Sequence, residues 1–332
     1  MKIDFETHFL PKEYIRLLKR RDDFPRFTAN SGDESSGLTL EYDPSIRIPR
    51  QRFLSKFTDS ETRIREMNAD GIDLQVLSIP LPGADKVHPD FAVELCRAAN
   101  DGLAELTHRY PSRFAAFALL PVQAGGPVAS NELRRAVKDL GLKGGFVHSN
   151  ANGRYLDSDA HVTIMSEATK LGVPIFVHPT IPSSYTGMEQ HRLASTFGLQ
   201  VDLSLSLLRL VFSGIFDSLP SLKIIVSHLG STLPFIMNRI DDEFAFARAA
   251  ETKLSRMPGE YLRRLYVDTA TMDSHPLEFA VRFFGASHVA FASDYPFWDT
   301  KKHVRAIADS RLAPPEKEQI FSGTAKFLLG LD

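Results

Sequence analysis

Eight short apolar runs recur along this chain, and helical patterns lie between them. They are KIDFE (2–6), DLQVLSI (73–79), RFAAFALLPV (113–122), LKGGFVH (142–148), PIFVH (174–178), KIIVSH (223–228), LYVDT (265–269) and HVAFASD (288–294). The intervening segments, such as SETRIREMNADG, HVTIMSEATKLG and LPFIMNRIDDEFAFARAAE, repeat their apolar residues three and four apart, the spacing of one helix face. Gly71, Gly141 and Gly172 stand where such helices should end. Strands alternating with helices imply parallel strands joined by right-handed crossovers. Eight such units predict an α/β fold closed into a (β/α)8 (TIM) barrel. An open doubly wound sheet would want a G-x-G-x-x-G turn after an early strand, and GLKGG at 141–145 lacks that spacing.

The 332 residues suit a single barrel domain over 1–332. The run 22–58 is a long insertion after the first strand, expected to form a lid or part of the pocket, and 180–193 is a second polar loop. Net charge is −2, which gives no footprint for nucleic acid or for a membrane surface. The one cysteine, Cys96, lies in the apolar helical pattern FAVELCRAAN and reads as a small core residue. It leaves no internal disulfide and no cysteine-based zinc site. Acids interrupt MKIDFETHFL where a leader would be apolar, and no run of ~18 apolar residues is expected. A cytoplasmic setting is the simplest reading.

In a barrel the C-terminal strand ends meet at one face, where active sites sit. This chain puts Glu6 and His8 there from the first strand, His148 and Asn150 from the fourth, His178 from the fifth and His228 from the sixth; Asp268 and Asp294 end the seventh and eighth. In a period-two strand Glu6 and His8 share a face with Asp4. Imidazole nitrogen with carboxylate oxygen is the donor set of a catalytic zinc, iron or manganese site. Each residue keeps a plainer reading. His178 could be capped by a backbone carbonyl, and His228 could bond the following helix. Asp294 could serve a turn. Asp268 could hold a ligand's second nitrogen, and His148 could touch substrate or form the rim. Most of His88, His108, His161, His191, His275, His288 and His303 read as surface residues, with His191 a pocket-loop exception.

FETHF at the start, FVHP at 176–179, SHLGSTLPFIMNRID at 227–241 and FASDYPF at 291–297 resemble the amidohydrolase superfamily, and within it the branch of metal-dependent non-oxidative decarboxylases. RIREMNADGIDLQVLS and FSGIFDSLPSLKIIVSH fit the same branch, so the resemblance covers nearly the whole chain. It implies metal ligands at Glu6, His8, His178 and Asp294 and a catalytic histidine at His228. The first position is glutamate, not histidine, as in members acting on hydroxybenzoates, and its oxygen makes manganese as suitable as zinc. Lys143 stands near the start of the fourth strand rather than its end, so one divalent ion is expected and not a lysine-carbamate-bridged pair. A substrate-binding arginine belongs in the loop after the first strand, where Arg50 and Arg52 stand.

The implied reaction is decarboxylation of a hydroxybenzoate-like or muconate-like acid. A substrate oxygen on the metal accepts electron density, and Asp294 with His228 delivers a proton to carbon. His148, Phe297, Trp298 and Tyr185 are candidates to contact a flat substrate. The same site supports a second reading, a hydrolase of a lactone, ester or C–C bond using a metal-activated water. A third is a catalytically dead binding barrel, against which the retained site residues speak. By resemblance the partner is a small carboxylic acid and the assembly a homodimer or homotetramer.

Overall fold

A computed structural model describes residues 1–29, 37–42, 51–184, 186–247 and 254–331. Strand β1 (Ile3–His8) and helix α1 (Lys12–Lys19) lead into an antiparallel sheet of β2 (Arg26–Ala29), β3 (Leu38–Glu41) and β4 (Gln51–Phe53). Then come α2 (Ser60–Asp70), β5 (Leu74–Ser78), α3 (Pro89–Arg109), β6 (Phe114–Ala116), β7 (Ala118–Leu119), α4 (Gly126–Lys138) and β8 (Gly145–His148). A small hairpin of β9 (Asn150–Ala151) and β10 (Arg154–Tyr155) precedes α5 (Asp159–Leu171) and β11 (Ile175–His178). The rest runs α6 (Leu199–Phe212), α7 (Ile215–Ser218), β12 (Ile224–Val226), α8 (Leu233–Ala247), α9 (Pro258–Leu262), β13 (Tyr266–Asp268), α10 (Ser274–Phe284), β14 (Val289–Ala290), α11 (Thr300–Ala308), α12 (Pro314–Glu318) and α13 (Thr324–Leu329).

All eight expected runs carry strands, and the parallel sheet closes on itself. The pairings run β1–β5–β6 and β7–β8–β11–β12–β13–β14. Strands β6 and β7 are one path that changes partner at Phe117, whose N–H donates to Leu77 O while Ala118 N donates to Gly144 O. The ring shuts where Phe5 N donates to Phe291 O and His8 N to Tyr295 O, both at 2.8 Å. Inside it, Phe5, Phe117, Phe146 and Phe176 are fully buried, with ring centroids 5.5–5.8 Å apart in successive contacts. Each such buried ring contributes roughly 1.5–3 kcal/mol, and together they form the floor beneath the strand ends.

Gly71 and Gly172 are left-handed caps of α2 and α5, with φ of 67° and 72°. Helix α4 ends earlier than expected, at Lys138, and Gly141 (φ 73°) serves the turn beyond it. One segment, Ala194–Phe212, does reach span length with mean hydropathy 1.2. Its Leu203, Leu207 and Leu210 pack in the core and it carries the buried, hydrogen-bonded Asp202, so it is a core helix of the barrel. Cys96 is a buried free thiol, as its helical context implies.

Asp4 does not share the face of Glu6 and His8. The register of β1 against β5 shifts between Asp4 and Thr7, a bulge that re-aims one side chain. Asp4 instead accepts from Ser293 N at 2.8 Å and Ser293 Oγ at 2.6 Å and lies near the buried guanidinium of Arg63 on α2. Arg63 in turn donates to the His8 carbonyl and to Gln75 Oε1, which ties α2 to the strand that carries the site.

Candidate metal centre and active site

Glu6, His8, His178 and Asp294 converge from β1, β11 and the turn after β14. One ligand atom from each lies within 4.8 Å of all the others, and all four residues are buried. His8 Nε2 is 2.9 Å from Asp294 Oδ1, and His178 Nε2 is 3.4 Å from Glu6 Oε1. The outer nitrogens are occupied elsewhere: His178 Nδ1 donates to Pro179 O at 2.7 Å, and His8 Nδ1 is 3.0 Å from Ser78 Oγ. Such partners fix the ring so that Nε2 presents a lone pair inward. The backbone carbonyl at His178 and the inward-facing Nε2 therefore coexist.

The charges point to a cation. Glu6 accepts from Ser227 Oγ at 2.7 Å, yet its Oε2 is buried without a partner, as is Asp268 Oδ2. Burial, together with the neighbouring Asp268 and Asp294, pushes the Glu6 carboxyl well above its usual range. Burial also raises Asp268. Three carboxylates gathered this closely are unfavourable without a positive charge between them. Burial and three surrounding imidazoles hold His178 well below its ordinary pKa, so it is neutral and ready to ligate. Oxygen and nitrogen donors in this mixture suit manganese or zinc, and the residues present fit one divalent ion.

His228 stands beside this cluster. Its Nε2 lies 3.9 Å from both Glu6 Oε2 and Asp294 Oδ2, and its Nδ1 accepts from Gln200 Nε2 at 2.6 Å. His228 and Asp294 both hold left-handed backbones, φ 57° and 54°, costly for residues other than glycine and characteristic of functional turns. Asp268 does not hold a ligand's second nitrogen. Its Oδ1 accepts from the backbone N–H groups of His228 and Ala270 at 2.8 and 3.0 Å, so it shapes the turn that delivers His228. Asp294 Oδ2 accepts from Trp298 Nε1 at 2.9 Å, and Phe297 packs edge-on against His8 with centroids 5.5 Å apart.

These residues open into a cavity of about 1410 Å³ whose wall includes His178, His228, Asp294, Phe297, Trp298 and Arg52. Arg52 is thus at the mouth, together with Tyr42 from the same insertion; Arg50 and Tyr185 lie outside the described residues. Arg192, not His191, reaches the wall from the second polar loop. His148 does not line it. Although His148 pairs in register with His178, the loop after β5 covers it: Asp85 Oδ2 binds its Nδ1 at 2.5 Å. Gly83, at φ 59°, passes so close that a Cβ there would lie 2.4 Å from the His148 ring. His161 and His303 are buried rather than on the surface, and His303 is on the cavity wall. Lys143 is at the opposite end of β8 from the site, its N–H bonded to Ala116 O.

A family model described as Amidohydrolase matches residues 3–331. The chain belongs to the amidohydrolase family. This amidohydrolase is 30% identical over 336 residues to a 2-amino-3-carboxymuconate-6-semialdehyde decarboxylase of Dictyostelium discoideum, covering 100% of this chain and 92% of that protein. It is 32% identical over 295 residues to a gamma-resorcylate decarboxylase of Rhizobium radiobacter, covering 82% and 87%. A crystal structure of a dihydroxybenzoic acid decarboxylase from Polaromonas sp. JS666, with bound manganese and the inhibitor 2-nitroresorcinol, superposes with a TM-score of 0.82. The two are 28% identical, over 99% of this chain and 96% of that one. These three relatives are decarboxylases, and the manganese of the Polaromonas enzyme agrees with the donor set found here.

Proposed function

We propose that this amidohydrolase is a metal-dependent, non-oxidative decarboxylase of a hydroxybenzoate-type acid. The observation that carries the reading is the meeting of Glu6, His8, His178 and Asp294 within 4.8 Å, with His228 Nε2 3.9 Å from two of them. A divalent ion held by those four residues supplies Lewis acidity that stabilises negative charge developing on the substrate. Arg52, at the mouth, offers a guanidinium that pairs with the substrate carboxylate. Phe297 lies along the wall and flanks a flat ring.

Asp294 delivers a proton to the ring carbon that bears the carboxylate. Protonation interrupts the ring's conjugation. The electrons of the C–CO2 bond then return to the ring as carbon dioxide leaves. His228 sits against Asp294 and returns the proton to it between turnovers. The four ligand residues are themselves buried, and a low-dielectric surrounding strengthens electrostatic contacts of this kind.

The test is incubation of the manganese-loaded protein with a panel of hydroxybenzoic acids and 2-amino-3-carboxymuconate semialdehyde, following carbon dioxide. Turnover of esters or lactones with no carbon dioxide from any acid would replace this reading by a hydrolase.

The assembly we propose is a homodimer. The cavity exceeds the roughly 300–1,000 Å³ usual for small-molecule sites, and its outer wall carries Phe235, Met272 and Phe279, which are 85%, 46% and 44% exposed. Exposed apolar side chains clustered in this way mark a covered surface, and a second copy is the occupant we assign. The lone buried thiol, Cys96, accords with the cytoplasmic setting we propose for it.

A further inference from the structure

Helix α11 carries an imidazole that neither the strand-end pattern nor the metal centre accounts for. His303 lies in the first turn of α11, whose N-cap is Asp299. The residue is 2% exposed, yet it lines the cavity that holds His178, His228 and Asp294. Its Nδ1 lies 3.0 Å from the Asp299 carbonyl. A carbonyl only accepts, so the ring proton is on Nδ1 and Nε2 is a bare acceptor. Burial pushes the ring below its ordinary pKa, which keeps it neutral. Among the described residues Nε2 has no hydrogen-bond partner, and it is not among the sealed, unpartnered polar atoms of the interior. The small exposed part of the residue therefore includes this nitrogen.

An acceptor in this position is unfavourable until a donor reaches it. The donor does not come from the substrate carboxylate, which offers only acceptor oxygens when ionised. It does not come from Arg63 either, since that guanidinium is sealed in the interior and does not line the cavity. His303 shares one cavity wall with Asp294 and His228, so it addresses the same ring that these two groups serve.

We infer that His303 Nε2 accepts a hydrogen bond from a ring hydroxyl of the aromatic acid and so selects acids that carry a donor at that position. The inference rests on the decarboxylase reading above and adds a substrate requirement to it. His303 is a specificity-determining residue in this account, with no proton of its own to give at Nε2.

Two nitro compounds test it without turnover, because a nitro group stands in for the carboxylate and cannot leave as carbon dioxide. Binding of 2-nitroresorcinol and of 2-nitrophenol, which lacks the second hydroxyl, is measured by calorimetry on the manganese-loaded protein. The wild type should bind 2-nitroresorcinol about tenfold or more tightly than 2-nitrophenol, the size expected when a hydrogen bond to a buried acceptor is lost. His303→Phe should bring the two affinities within about threefold by weakening 2-nitroresorcinol alone. His303→Gln, whose carbonyl can accept, should restore part of the difference. Manganese content and a cooperative melt identify the variants that fold, and His303→Gln carries the comparison should His303→Phe fail to fold. A difference that persists in a folded His303→Phe overturns the inference, as does a wild type that binds both compounds equally. Failure of the wild type to bind either compound would instead overturn the decarboxylase reading on which it rests.

Discussion

Gln200 Nε2 donates to His228 Nδ1 at 2.6 Å, so a neutral His228 carries its proton on Nε2, the nitrogen 3.9 Å from Glu6 and Asp294. The helix that presents Gln200 is itself anchored, since Asp202 accepts from Ser149 Oγ at 2.5 Å and Asn150 Nδ2 at 2.8 Å. Gln200 is therefore a positioning residue. Gln200→Leu leaves both tautomers of His228 open, and kcat should fall roughly tenfold with KM nearly unchanged. Gln200→Glu should be the more damaging change, because a carboxylate draws the proton onto Nδ1. Steady-state kinetics on the acid that releases carbon dioxide checks this; an unaltered kcat in Gln200→Leu would count against it.

Asp294→Asn separates ligation from proton delivery. Asparagine tolerates the left-handed backbone found at this position, φ 54°, so the turn should survive. Its carboxamide oxygen can still face the ion, with Glu6, His8 and His178 intact, but it has no proton to deliver to carbon. Manganese should be largely retained by elemental analysis while carbon dioxide release falls by ~10² or more. Near-normal turnover would remove Asp294 as the proton donor.

Much of this site was legible because barrel strands are buried and short. An imidazole or carboxylate closing a run such as PIFVH or HVAFASD has only one place to go, the rim where all strands end. That reasoning placed Glu6, His8, His148, Asn150, His178, His228, Asp268 and Asp294 at one rim, and the family resemblance singled out Glu6, His8, His178, His228 and Asp294 among them. It failed where backbone irregularity or a tertiary contact decides. The bulge in β1 separates Asp4 from Glu6, and period-two counting cannot see an inserted residue. His148 obeys the strand-end rule but is covered by Gly83 and Asp85, a loop contact with no signature in local sequence. Gln200 and His303 lie on helices, where a single polar residue in an amphipathic pattern looks like any other surface position. The three-stranded sheet in the insertion leaves no clear period in the sequence, its strands being only 3 to 4 residues long.

Binding of the ion should be visible in stability as well as in turnover. Glu6, Asp268 and Asp294 repel one another across a buried space, and a divalent cation relieves that repulsion only in the folded chain. Manganese at about 100 times its dissociation constant contributes ~2.7 kcal/mol to stability, which for a chain of this size is a rise of a few degrees in Tm. Chelator-treated protein should lose that stability and regain it when manganese is added, whereas Glu6→Gln should show a smaller response. A melting temperature indifferent to manganese would argue against the centre.

His161 predicts a pH dependence away from the active site. Burial lowers its pKa from 6.5 to about 4, and its Nε2 is enclosed without a partner. The unfolded chain takes up the proton near pH 6.5, whereas the folded chain resists it until about pH 4. Between these values the unfolded state binds more protons, so stability is full above pH 6.5 and declines as pH falls through the window. The loss attributable to this one residue is roughly 2–3 kcal/mol. His161→Gln should flatten the decline by that amount in urea titrations compared between neutral pH and the lower end of the window; a variant with the wild-type slope would refute the assignment.

Phe235 tests the assembly and its bearing on the pocket together. It is 85% exposed on α8 and lines the same cavity as His228 and Asp294, so a second copy seated there would cover apolar surface and narrow the mouth at once. Phe235→Glu places a charge where that contact would exclude water, and a buried charge without a partner is strongly unfavourable. The wild type should show the mass of two chains by light scattering, and Phe235→Glu the mass of one. Manganese content should be the same in both, because no metal ligand lies on α8. A monomeric wild type would show instead that the apolar rim serves the substrate alone.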